Sequence, residues 1–265
     1  MEILAQSPAL SSVPGYREIV ERNEIGLLMG PGDLVARNGD LVLTRRGDLM
    51  LKNVDHSAYL RLVQQWRLNY PTQKLLFETV FDDAWQAEIE ARRAAVIERD
   101  MADTLHGRAF NPDTSAWHAA NDQAGSNDVA KAIYAGTVTI FLNKSLGSFR
   151  SDIDATEAEW ATALPVFSGH SLGQVLTATA NNVRHNDEWQ TATKPNSRQL
   201  ASMRILAAAL NEPLAVDGRN HRFGRDVAPE VLKAISGDDF QRLEKHVFSF
   251  TNELLRLREQ RRPSL

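Results

Sequence analysis

The chain has 265 residues, 43% of them apolar, and a formal net charge of −4, so it can bury a sizeable core as one large domain or as a domain with an appendage. The absence of cysteine excludes disulfide frameworks, thiolate metal sites, iron–sulfur clusters and cysteine nucleophiles, and the small negative charge leaves only local basic surfaces to attract nucleic acid. Without a signal-like start or a window near the roughly 18 apolar residues of a membrane span, the protein is expected to be soluble and cytoplasmic, with no membrane partner.

The first patterned stretch is GPGDLVARNGDLVLTRRGDLMLKN, residues 30–53, in which Gly-Asp-Leu occurs three times. Apolar and polar residues alternate between the glycines, and Asn38-Gly39 and Arg46-Gly47 favour tight turns. This reads as a small antiparallel β meander that must pack on something larger. From about Ser57 the apolar spacing becomes helical: Tyr59, Leu60, Val63, Trp66 and Leu68 share a face, and Pro71 is expected to end that helix. A second helix follows to Gly107, with Leu75, Val80, Phe81, Trp85, Ile89 and Val96 along its stripe. Residues 108–127, rich in Asn, Asp, Pro, Gly and Ser, read as a long loop. Helical spacing returns over about 128–149, 168–189, 196–210 and 228–260, with TVTIF as a possible strand, Ser168 and Asn196 as caps, and a break at Gly237-Asp238. The predicted architecture is mainly α: a helical bundle with a small N-terminal antiparallel β meander, divided into an N-terminal segment (1–54) and a helical domain (55–265). No strand–helix alternation supports a Rossmann or barrel fold.

Glycine-rich phosphate loops, paired-histidine zinc motifs and the hydrolase nucleophile elbow are all missing. Gly169-His170-Ser171-Leu172-Gly173 has the wrong spacing for that elbow. The densest chemistry lies in ATANNVRHNDEWQ, residues 178–190. On a helix, Asn181, Arg184, His185 and Glu188 fall at steps of three and four and share a face. A carboxylate can orient an imidazole there, with a guanidinium near a phosphate. The alternative reading is a polar helix end, in which Glu188 pairs with Arg184, His185 is half-buried and Trp189 anchors the terminus. The loop Gly218-Arg219-Asn220-His221-Arg222-Phe223-Gly224-Arg225 is compact and basic, suited to a phosphate backbone or to a solvated turn.

The run ANNVRHNDEW followed by RQLASMRILAAALN resembles a helical pattern in bacterial proteins related to the HEPN superfamily, over about residues 168–212. The resemblance implies a helical bundle, often dimeric, that cleaves RNA without a metal or other cofactor in defence or toxin systems. The family signature is an arginine with a polar neighbour and a histidine a short gap later. Arg184-His185 has no later histidine at that distance, whereas Arg99-Asp100 followed by His106 fits. The resemblance therefore implies that His106 acts as general acid or base, Arg99 stabilises the charged phosphorane and Asp100 orients one of them. Those residues also read as a fraying helix end, with His106 complementing the helix dipole.

The expected catalytic set is Arg99, Asp100, His106, Arg184, His185 and Glu188. Asn181, Asn182, Arg219, Arg222 and Arg225 are expected to contact substrate. Expected partners are RNA and a second copy of the chain. A rival reading is a non-catalytic assembly protein that offers the edge of its N-terminal meander to a partner protein.

Overall fold

The computed structural model describes residues 12–28, 54–106, 114–191, 195–214 and 221–261, the side chains of 54, 102–106, 221 and 222 excepted. Among the described residues the chain is helical apart from one short hairpin: α1 (Tyr16–Arg22), α2 (Val54–His106), α3 (Ser115–Asp152), α4 (Glu157–Thr162), β1 (Val166–Phe167), β2 (His170–Ser171), α5 (Leu172–Thr191), α6 (Ser197–Ala209), α7 (Ala228–Ser236) and α8 (Phe240–Arg261). Short 3-10 turns occupy Gly26–Leu28 and His221–Gly224. The mainly helical reading holds. The N-terminal meander expected over residues 30–53 lies outside the described residues, and the strand pair that is described sits mid-chain instead. Among the described residues no helix is long and apolar enough to cross a membrane.

Pro71 does not end a helix. It sits inside α2, which runs unbroken for 53 residues. An interior proline costs on the order of 3 kcal/mol by removing a hydrogen bond and crowding the preceding turn. Burial of Trp66, Tyr70, Phe77 and Val80 on one stripe spanning the proline outweighs that penalty. Trp66 stacks on Phe240 at 5.9 Å and meets Phe248 edge-on at 5.7 Å, while Tyr70 and Phe77 each lie 5.4 Å from the Phe240 ring.

The loop expected over 108–127 is also corrected, because α3 begins at Ser115. Its first turns are polar since they form the outer face of an antiparallel α2–α3 pair, whose inner seam includes the buried residues Ala87, Ala94 and Ala120. TVTIF is helical within α3, with Val138 and Thr139 buried and Thr137 turned to solvent. The SGHS segment, expected to start a helix with Ser168 as cap, is the hairpin: Ser168 and Gly169 take φ of 49° and 86°, the pair of left-handed residues a tight two-residue turn requires. The cap is Ser171, whose Oγ accepts from Gln174 N at 3.2 Å while its own N donates to Gln174 Oε1 at 3.2 Å. Asn196 caps α6 as expected, and Gly237, at φ 69°, separates α7 from α8.

A buried carboxylate ties three of these helices together. Glu244 of α8 is 1% exposed and accepts from Arg22 Nε at 2.7 Å, Arg22 Nη2 at 3.0 Å, Asn23 Nδ2 at 2.7 Å and Trp66 Nε1 at 2.9 Å. A second buried ion pair joins Arg258 of α8 to Asp55 at the start of α2. Around them Ile19, Val20, Ile25 and Leu28 enter the same apolar cluster as the long helices.

Replacing Glu244 by Ala is expected to cost about 3–5 kcal/mol, because the buried donors lose their acceptor. Arg22→Ala should cost markedly less, since that side chain keeps 29% of its surface in water. Urea unfolding of both variants checks the order.

Candidate functional site

Helix α5 is the hub of the C-terminal half, touching α3, α4, α6, α7 and α8. Two glycines allow that close approach. A Cβ on Gly173 would lie 2.4 Å from the Trp160 ring and 2.8 Å from Phe250, and one on Gly136 of α3 would lie 2.9 Å from Val183. With α5 held this way, its two sides do different work.

One side carries a polar stripe of Gln174, Thr177, Asn181, His185 and Glu188, spaced three and four apart. The stripe borders two hollows along the α5–α6 seam. The larger, about 1070 Å³, is lined by Gln174 and Thr177, by Asn143, Lys144 and Ser151 of α3, and by Ala201 and Ser202 of α6. The smaller, about 350 Å³, is lined by Asn181, His185, Glu188, Trp189, Asn196, Arg198, Gln199 and Ser202. Ser202 borders both, and Asn181 Nδ2 donates to its Oγ at 3.3 Å, a bridge between the compartments. Thr177 Oγ1 lies 3.0 Å from Asn143 Oδ1 at the floor of the larger one.

His185 Nδ1 stands 3.2 Å from Glu188 Oε1. Glu188 therefore meets His185 rather than the Arg184 of the alternative sequence reading, while Trp189 is buried and does anchor the end of α5. Arg184 is exposed beside the stripe. Across the hollow, Asn196 Oδ1 accepts from Arg198 N at 3.0 Å and Gln199 N at 2.9 Å. Those amides of the α6 terminus are thus already satisfied, and Arg198 supplies the cationic side chain on that wall.

Other expected site residues lie elsewhere. Asn182 is fully buried: its Nδ2 donates to the carbonyls of Phe223 at 2.8 Å and Arg225 at 3.1 Å, and its Oδ1 accepts from Val227 N at 3.0 Å. It is a strut that fixes the segment before α7, with no surface for a ligand. Arg99 and Asp100 are exposed on the far part of α2, 19 residues or about 28 Å beyond Val80 along the helix axis. His106 is the last residue of that helix, its side chain outside the described residues, and among the described residues no α2 side chain lines either α5–α6 hollow. Arg99 and Asp100 are thus not among the residues that border the hollows beside Arg184 and His185. Arg219 lies outside the described residues, as does the Arg222 side chain. Arg225 is bound to Glu230 at 2.8 Å and lines a different hollow with Asp128, Gly136, Val183 and Asp226.

Sequence reasoning missed Arg198, Gln199, Ser202, Asn143 and Lys144, which join the site only through the fold. Gln174 and Thr177 were within reach, because the spacing that links Asn181, His185 and Glu188 extends backward through them. Among the described residues no group of three or more His, Asp or Glu is placed to hold a metal. Comparison with family models, with curated proteins and with solved structures finds no match to this chain.

Asn182→Ala is expected to destabilise the protein by about 2–4 kcal/mol, since it orphans three buried backbone groups. Its neighbour change Asn181→Ala should cost under about 1 kcal/mol, and thermal unfolding of the pair distinguishes strut from groove residue. A pH effect is expected at Asp226, whose Oδ1 accepts from Ala228 N, the first residue of α7, at 2.8 Å and whose carboxyl is pushed above the usual range by burial. A raised carboxylate stabilises the fold below its unfolded pKa and loses that contribution as pH rises through the folded one. Asp226→Asn should therefore gain stability relative to the wild type between about pH 4 and about pH 7, read from denaturation midpoints at the two pH values.

Proposed function

We propose that this protein binds RNA along the α5–α6 groove and cleaves it there with His185, in line with the HEPN-like resemblance of residues 168–212. The supporting observation is the pairing of His185 Nδ1 with Glu188 Oε1 at 3.2 Å on the wall of a hollow that Arg198 also lines. A carboxylate at Nδ1 favours the tautomer that carries its proton there, leaving Nε2 with the free lone pair. Nε2 then takes the proton of a ribose 2′-hydroxyl as its oxygen attacks the adjacent phosphorus. The P–O5′ bond breaks, the 5′-oxygen leaves and regains a proton from the imidazolium or water, and the products are a 2′,3′-cyclic phosphate and a 5′-hydroxyl end. Arg198, with Arg184 at the rim, neutralises the phosphorane charge, and Glu188 stabilises the imidazolium formed in passing. The larger hollow next door, with Lys144 on its wall, accommodates the flanking nucleotides. Its lining is polar, with amides and hydroxyls, the cations Lys144 and Arg150, and the carboxylates of Asp152, Asp154 and Glu157, so it suits a polar strand better than an apolar ligand, with Lys144 and Arg150 as the groups that meet phosphate.

Catalysis is assigned to the α5 set rather than to Arg99 and His106 because His185 and Glu188 border a hollow that Arg198 also lines. Incubation of the purified protein with total RNA or tRNA in a chelating buffer tests it. His185→Ala is expected to lower cleavage about 100-fold or more, Glu188→Gln to lower it less, and Arg198→Ala to weaken RNA binding. His106→Ala should leave the rate unchanged. Cleavage that survives His185→Ala but falls with His106→Ala would overturn the assignment.

A further inference from the structure

Beyond Val80 helix α2 leaves the main apolar cluster and continues beside α3 as a two-helix arm, with Ala87, Ala94 and Ala120 in its seam. On the opposite side α2 turns Trp85, Ile89 and Val96 to solvent, 59%, 38% and 52% exposed. Residues 82, 85, 89, 92, 96 and 99 advance in alternating steps of three and four, the spacing of a seam between paired helices. A tryptophan and two β-branched residues on one solvated stripe are more apolar surface than an unpartnered helix face needs.

The charges on this stripe say what covers it. Its N-terminal end is acidic, at Asp82, and its C-terminal end is basic, at Arg92 and Arg99. A second copy laid parallel would set Asp82 on Asp82 and Arg99 on Arg99. Laid antiparallel about a two-fold between residues 90 and 91, it sets Trp85 on Val96, Ile89 on Arg92 and Asp82 on Arg99, each pairing occurring twice. The Arg92 guanidinium is already held by Glu88 of its own helix, which leaves its methylene stem to cover Ile89. The stripe is therefore complementary to itself in one orientation only.

We infer that the protein forms a two-fold homodimer through antiparallel pairing of the distal α2 helices of two chains. The interface lies on the arm, away from the α5–α6 groove, and does not depend on what that groove binds. It spans about five helical turns, roughly 25 Å, a contact at the small end of specific interfaces. Asp82 and Arg99 set its orientation, and Trp85 provides most of its buried surface.

Sedimentation equilibrium over a range of concentrations tests this on the full chain. The wild type is expected to double in mass, and Trp85→Glu to weaken association about tenfold or more with unchanged circular dichroism. Asp82→Arg alone, or Arg99→Asp alone, brings like charges together and should weaken self-association as well. An equimolar mixture of those two variants should associate, because both ionic contacts are then attractive, and the double variant Asp82→Arg/Arg99→Asp should recover wild-type behaviour. A wild type that stays monomeric at about 100 µM overturns the inference. So does a dimer whose charge-reversal variants neither lose self-association nor regain it on mixing.

Discussion

A carboxylate with almost no access to water decides how the N-terminal and C-terminal helices meet. Glu244 gathers donors from α1, from the residue that ends it and from α2. Removing an ion from water is costly, and the arrangement is stable only because both of its oxygens are occupied by well-directed donors. That requirement is geometric as much as energetic: Arg22, Asn23 and Trp66 satisfy it together at one relative placement of three helices. The aromatic layer of Trp66, Phe240 and Phe248 packs next to it, so the polar junction sets the register and the apolar contacts supply most of the stabilisation.

The same division of labour recurs on α5. Its two flanks are structural: on one Gly173 admits the Trp160 and Phe250 rings, and on the other, half a turn round the helix, Asn182 holds the backbone of the segment before α7. The stripe between them is left to bear polar groups that face α6 and α3 across open space. Rigid support behind and adaptable polar side chains in front is the arrangement a binding groove needs, because the cost of fixing its geometry is met during folding rather than on ligand contact.

How much of this could be read from the residues alone depends on which interactions are local. The caps at Asn196 and the break at Gly237 are decided within a few residues, and both were legible. Pro71 was misread as a stop because the local rule is overruled by Trp66, Tyr70 and Phe77, whose burial involves α8, far away in sequence. The first turns of α3 were misread as loop because a helix lying on one partner needs only a thin apolar seam and leaves the rest polar. For the site, the shared face of Asn181, His185 and Glu188 followed from helical spacing. The opposite roles of Asn181 and Asn182 did not, since two adjacent asparagines differ only by the 100° that turns one into the core. Arg198 and Ser202 join the groove through the packing of α6 on α5, which no periodicity encodes.

The absence of a break at Pro71 has a mechanical side. Because α2 is a single rod, gripped by the core as far as Val80 and paired with α3 beyond it, the arm behaves as a lever about 39 Å long from Val80 to His106. A tilt of about 5° where the core holds it displaces the tip by roughly 3 Å. Repacking around Phe240 or Glu244 is thereby amplified at the far end of the molecule, and whatever clasps the tip in turn constrains the angle at which the core can sit.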